Sequence, residues 1–346
     1  GWEIRGNRII GAGTGLYLGN SDGSDAFIGG LIEGNLIKDT IGYNGEIKFQ
    51  TPRPTVTGIP TGPSTTIVRD NVFCKNDQAS PSGDRPNFLV GGFPSTGAGS
   101  QDRYEIHRNF FYHNPRESLL QASGRVSVHD NVFVDVTGTA LLLINHDLPL
   151  RQAYVYNNTI YGAGTGIRFG STAAQGDGVV GNLVFANTAI TGTITTQRDN
   201  LTAPVAMASM YVKSPSLTLS TCDLFPLSQK CTGAPLDLSA FATDSEYDRD
   251  FNRASKTAFT FRGAYAGEGT NPGWQLECEV KRLPGPMGPI DDGFTPEQNP
   301  DAGEVGNMPT GCSCDVGGRR GAWPVTSAIL LGLILMLRRR RRESSV

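Results

Sequence analysis

Ile106-His107-Arg108-Asn109-Phe110-Phe111 and, 22 residues later, Val128-His129-Asp130-Asn131-Val132-Phe133 share one pattern. A β-branched apolar residue stands three before an Asn, and a second apolar residue stands two after it. The pattern opens the chain as Ile4-Arg5-Gly6-Asn7-Arg8-Ile9 and returns as Ile32-Glu33-Gly34-Asn35-Leu36-Ile37 and Val68-Arg69-Asp70-Asn71-Val72-Phe73. Later copies are Val155-Tyr156-Asn157-Asn158-Thr159-Ile160 and Val179-Val180-Gly181-Asn182-Leu183-Val184. From Asn7 through Asn35, Asn71, Asn109, Asn131 and Asn158 to Asn182 the steps are 28, 36, 38, 22, 27 and 24 residues. The shortest step sets the length of one coil, and the longer ones carry insertions.

Such a repeat predicts a solenoid, in which each coil lays its strands over those of its neighbour, ~4.7–4.9 Å away. The apolar positions then form two interior columns, Ile4 to Val179 and Ile9 to Val184. The Asn is expected at a bend between two strands, because it tolerates left-handed backbone and its amide can bond the next Asn in the stack. Composition agrees. The 346 residues include 44 Gly and are only 18% charged and 8% aromatic, which suits short strands and turns. A net charge of -3 gives no reason to expect nucleic acid as a partner.

Two glycine-rich stretches, Gly11 to Leu18 and Gly162 to Phe169, run from a turn into an alternating strand. A dinucleotide-binding fingerprint would need a helix there. The insertions 51–65 and 77–101 are rich in Pro, Gly and Ser, read as surface loops, and could wall one side of a groove. From about residue 196 the repeat fades into irregular coils and a cap, which extend to residue 282. Asp248, Asp250 and Asn252 have the opening spacing of a calcium loop. Arg253 and Phe259 stand where that loop needs Gly and Glu. Calcium is therefore an expectation of spacing alone, and no other metal or cofactor is called for. Cys222 and Cys231 flank a short loop and are expected to form a disulfide in an oxidising compartment. Cys74 and Cys278 read more readily as buried thiols.

Taken together, the Asn-centred copies over 1–195 resemble the right-handed parallel β-helix of the pectate-lyase-like superfamily. Arg253 and Gly263-Ala264-Tyr265 resemble the closing motif of bacterial β-helix surface proteins, with Arg262 where that motif has an apolar residue. Residues 283–310 are dense in Pro, Gly and acidic side chains and read as a linker. Beyond it come Gly311-Cys312-Ser313-Cys314, an apolar run over 322–337, and Arg338 to Arg342. As a helix that run spans ~24 Å, short of the ~30 Å hydrocarbon core but extended by snorkelling arginines. The arginines would keep the C-terminus in the cytoplasm. This tail resembles the MYXO-CTERM sorting domain. The resemblance implies recognition near Cys312 and Cys314, cleavage by a membrane sorting protease, and display at the cell surface. Because the first residues already belong to the repeat, the start reads as a truncation, with the export signal upstream.

Two columns are expected to face outward. Two before the Asn stand Arg69, His107, His129 and Tyr156, cations and rings that suit an acidic polysaccharide and would bind it better as histidine gains charge. Four after the Asn stand Asp39, Lys75, His113 and Asp135. A lyase needs a base for the proton beside the uronate carboxyl, and Lys75 or His113, with Asp135 adjacent, are the catalytic candidates. Neither column pairs carboxylates on adjacent coils as a hydrolase would. Three readings stay open. The leading one is a surface-displayed β-helix that binds carbohydrate or serves a structural role. The others are a polysaccharide lyase and a stalk or adhesin with no small-ligand site.

Overall fold

The computed structural model describes residues 1–282, an all-β arrangement of mostly parallel sheets, with one antiparallel pair, Val212–Ser214 with Asp223–Pro226, and three short 3-10 turns. The strands before each Asn form an eight-stranded parallel sheet in chain order, from Glu3–Arg5 through Thr65–Arg69, Arg103–His107 and Arg125–His129 to Gln197–Arg198. The strands after each Asn, such as Arg8–Ile10, Leu36–Lys38 and Val72–Cys74, stack in parallel in a second row. A third row runs through Leu16–Leu18, Gly45–Ile47, Phe88–Val90 and Leu120–Ala122. The long strand Val132–Leu143 belongs to both the second and third rows. Parallel sheets that curl in this way are compatible with a β-solenoid. Among the described residues no helix is long and apolar enough to cross a membrane. The expected linker, the short apolar helix and the sorting signal at Cys312 and Cys314 lie outside the described residues.

The interior columns follow from the register. Ile106 pairs with Val128, and Val128 with Val155, while Phe73, Phe111 and Phe133 pair in sequence on the neighbouring row. The three rings stack with centroids 5.1 and 4.8 Å apart, all fully buried. Side chains of this size each contribute roughly 1.5–3 kcal/mol on burial, before ordering entropy is subtracted.

At the corner between the first two rows, each Asn gives its backbone N–H and its side-chain amide to the Oδ1 of the next Asn. For Asn109 onto Asn131 these bonds are 2.9 and 3.0 Å, and for Asn131 onto Asn158 they are 3.1 and 3.0 Å. The amide of Asn131 also reaches back 2.8 Å to the carbonyl of Ile106. Asp would lack the donor and Ser the second contact, so the position demands Asn. Asn200 receives the last of these bonds from Asn182. Its coil departs from the sequence repeat because Gln197 and Thr202 fill the apolar positions. The left-handed residue is not the Asn itself but the one before it. Asp70, Arg108, Asp130 and Asn157 take φ of 56°, 56°, 54° and 50°, and Gly6, Gly34 and Gly181 take 65°. A shorter ladder turns the next corner, where Asn114 donates to Asn87 at 3.0 Å.

The reading of 77–101 as a loop is corrected. Phe88–Val90 is a buried strand of the third row. The two insertions are also tied together, since Arg53 of the first pairs with Asp102 just beyond the second. Arg53 donates to the carbonyls of Pro60 and Gly62 as well, at 2.8 and 2.9 Å.

Residues 205–282 run back over the outside of the coils. Phe251, Tyr265, Trp274 and Leu276 pack on Leu36, Val72, Phe110, Val132 and Leu183, the residues that directly follow the ladder Asn. Gly263, at φ 91°, brings this segment against the sheet. A Cβ there would stand 2.6 Å from Thr159 Oγ1 and 2.8 Å from Leu183 Cβ. Thr159 Oγ1 accepts the Ala264 N–H at 2.8 Å.

Replacing Asn131 by Ala removes partners from several buried groups at once, so a loss of about 3 kcal/mol is expected. Urea denaturation measures it. A wild-type midpoint would show that the ladder bears no load.

Candidate functional site

The expected ligand column exists as a column but is not a surface. Arg69, His107, His129 and Tyr156 stand in parallel register. Three of the four are fully buried, and Arg69 is partly so. The rings of His107, His129 and Tyr156 stack 4.7 Å apart within 4° of parallel, and Phe241 from the C-terminal segment closes the stack 4.3 Å from Tyr156. Leu236 and Leu238 pack alongside. Burial above all, and His129 and Arg108 after it, hold the His107 imidazole well below its ordinary pKa. Burial and then Lys256 push His129 down to about 3. The expected glycan-binding face is thus the seat of the chain's own C-terminal segment, and its histidines stay neutral at mildly acidic pH.

The left-handed residues beside this stack point outward and hold that segment by charge. Asp70 accepts from Arg108 Nη2 at 3.0 Å, Lys281 Nζ at 3.1 Å and Arg253 Nη2 at 2.8 Å. Glu246 accepts from Arg108 at 2.7 Å and from Arg69 at 2.8 Å. Lys281, fully buried, also donates to the carbonyls of Arg108 and Phe251 at 2.7 Å each. Burial would raise the Asp70 carboxyl, but Lys281, Arg108 and Arg253 outweigh it and hold the pKa well below the usual range. Two coils further on, both oxygens of Asp130 accept from Lys256 Nζ at 2.8 Å.

The other candidate row is more open. His113 Nδ1 lies 2.7 Å from Asp135 Oδ2, and its Nε2 lies 3.1 Å from Asp77 Oδ1. The bond to Asp135 raises the His113 pKa, opposed by burial and helped by Asp77. His113, Asp135 and Asp39 all take left-handed backbone, with φ of 57°, 64° and 54°, so this row is a second corner rather than a strand face. Lys75 does not join them. Its ammonium turns to the carbonyl of Arg85 at 3.1 Å, and burial lowers its pKa to about 8. An imidazole bonded to two carboxylates at a partly exposed corner can hold and pass a proton near neutral pH.

Two further expectations change. Cys222 and Cys231 are buried free thiols, raised to about 11 and about 12 by burial, and the disulfide joins Cys74 to Cys278 instead. Proximity in sequence misled, because packing of the returning segment decides which sulfurs meet. Of the trio Asp248, Asp250 and Asn252, the side chains of Asp250 and Asn252 are taken up by partners within the protein. Asp250 accepts the N–H groups of Asn252, Ala254 and Ala266, and Asn252 donates to Asn271. These bonds shape the turn that seats Phe251. Arg262, at an apolar position of the resembled motif, has an account of its own. Its guanidinium donates to the carbonyls of Ala234 and Thr260 at 2.8 Å each and lies 3.5 Å from Asp199 Oδ1.

No family model matches the chain, and no curated protein or solved structure gives a significant match.

Two outcomes are expected. Asp70→Asn leaves Arg108 and Lys281 buried beside a neutral partner, and a loss of about 3–5 kcal/mol should appear in denaturant unfolding. The two histidines give an acid limb. Folded imidazoles that stay neutral, against an unfolded value near 6.5, lose stability as pH falls through that value, by up to about 1.4 kcal/mol per pH unit for each ring. Asp130, raised by burial to about 7, works the other way, since its contribution is lost as pH rises through that value. The urea midpoint of the wild type should therefore fall more steeply between about pH 6.5 and pH 4.5 than that of His107→Gln/His129→Gln. Parallel curves would show that the rings titrate as if exposed.

Proposed function

We propose that this chain is an exported bacterial right-handed parallel β-helix, displayed at the cell surface as a structural or carbohydrate-binding module. The observation that carries this reading is the Cys74–Cys278 disulfide, which ties the end of the returning segment to a coil 204 residues earlier. Disulfides of this structural kind persist in oxidising compartments. The resemblance of the tail to a sorting signal points the same way. A glycan would meet the rows the segment leaves open. Tyr17 is exposed, Lys48 stands 6.0 Å from its ring centroid, and Arg168 is exposed farther along the same row. Rings and cations at such spacing suit sugar faces and carboxylates.

A second reading, a polysaccharide lyase, is favoured by one observation, the bonding of His113 to Asp135 and Asp77. In that reading His113 takes the proton beside the uronate carboxyl, and Asp135 holds the ring in place.

Labelling of intact cells with a membrane-impermeant reagent, followed by a thiol assay, tests the first reading. Surface labelling with Cys74 and Cys278 oxidised is expected. A cytoplasmic protein with both thiols reduced would overturn it. Incubation with polyuronates tests the second. Products absorbing in the ultraviolet should form with the wild type and fall at least about 10²-fold in His113→Gln. No such products from the wild type would remove the lyase reading.

A further inference from the structure

Lys256, Asp130 and Asn157 meet in a buried site beneath the C-terminal segment. All three are buried. Lys256 Nζ lies 2.8 Å from both oxygens of Asp130 and 3.4 Å from Oδ1 of Asn157. Asp130 and Asn157 are the left-handed corner residues of adjacent coils, so the backbone fixes where their side chains leave the sheet. Lys256 comes from the opposite side, on the turn after Arg253. The plane of the Asn157 amide is fixed from its other end, since Nδ2 donates to the carbonyls of Gly181 and Phe261 at 3.4 and 3.3 Å. A small cavity of about 60 Å³, lined by Asn157, Lys256 and Phe261, adjoins the three groups.

An amine, a carboxamide and a carboxyl group held together in a buried site have the parts needed for acyl transfer. Burial raises the Asp130 carboxyl to about 7, so it can both accept and return a proton near neutral pH. Holding reactants in place replaces a bimolecular encounter by an internal one, an effect equivalent to a large effective concentration. We propose that Lys256 and Asn157 form an intramolecular isopeptide bond, with Asp130 as the proton shuttle, covalently fastening the returning segment to the coils.

The step balances without any oxidant or co-reactant. Asp130 takes a proton from the Lys256 ammonium, and the free amine attacks Cγ of Asn157. The Nζ–Cγ bond forms, and Asp130 passes the proton to the departing Nδ2. The Cγ–Nδ2 bond breaks, ammonia leaves through the adjoining cavity, and Asp130, a carboxylate again, takes the second proton from Nζ, so that a neutral secondary amide and a protonated Asp130 remain. His129, whose Nδ1 lies 2.9 Å from Asp130, positions the carboxyl from its other side.

Tryptic mapping of the purified, reduced full chain by tandem mass spectrometry is the test. Trypsin does not cut after an acylated lysine. The bond should therefore appear as a branched species joining residues 152–168 to residues 254–262, lighter than their sum by one ammonia. Asp130→Asn and Lys256→Arg should each return the 152–168 peptide to its unlinked mass. Three results would overturn the proposal. One is a wild-type 152–168 peptide of full mass. Another is the same peptide lighter by ammonia but unbranched, which marks a succinimide. The third is a branched species lighter by water that joins Lys256 to Asp130. Because the wild type alone decides among these, a variant that fails to fold leaves the test intact.

Discussion

Every coil depends on one corner. There the chain must leave one strand row and enter the next within two residues, and it does so with a left-handed residue followed by an Asn. The turn strips backbone groups of their sheet partners, and the Asn amide replaces those partners from the coils on either side. Asn131, for example, accepts two bonds from Asn109 and donates to Asn158, Ile106 and His129. Because each amide satisfies its neighbours as well as itself, the ladder acts as a unit. Insertions of quite different length can leave the stack between corners without disturbing it.

The same corner decides what happens on the outside. A left-handed residue throws its side chain away from the sheet, and at Asp70, Arg108, Asp130 and Asn157 those side chains are polar. They need partners once the C-terminal segment covers them. Lys281, Arg253, Glu246 and Lys256 supply these partners, each from the returning chain. Buried charges of this kind add little net stability over an apolar filling but cost several kcal/mol if one member is lost. Their consequence here is register. The segment can lie on the coils in only one position, with Phe241 over Tyr156 and Cys278 beside Cys74.

That cover moves the question of function to other surfaces. A row of histidines two positions before the Asn resembles a ligand face only while nothing lies over it. With it sealed, the partly exposed polar groups at the second corner, His113, Asp135 and Asp77, and the exposed Tyr17 and Arg168 of the third row become the surfaces with chemistry to offer.

The sequence by itself determined the repeat, the interior columns and the Asn stack, because those depend on short-range spacing that recurs coil after coil. It also carries a second signal. The residue after the ladder Asn is apolar in Leu36, Val72, Phe110, Val132, Leu183 and Leu201, with Arg8 and Thr159 the exceptions, so most of that strand row is apolar on both faces. A row buried on both sides must be covered by something. What covers it only the tertiary structure decided. The contacts of Lys281 with Asp70 and of Cys278 with Cys74 span about 200 residues of non-repeating chain, and no local period encodes them. The physical reason is that side-chain burial is a property of the assembled face. An exposed and a covered histidine have the same neighbours in sequence and differ only in what the rest of the chain lays over them.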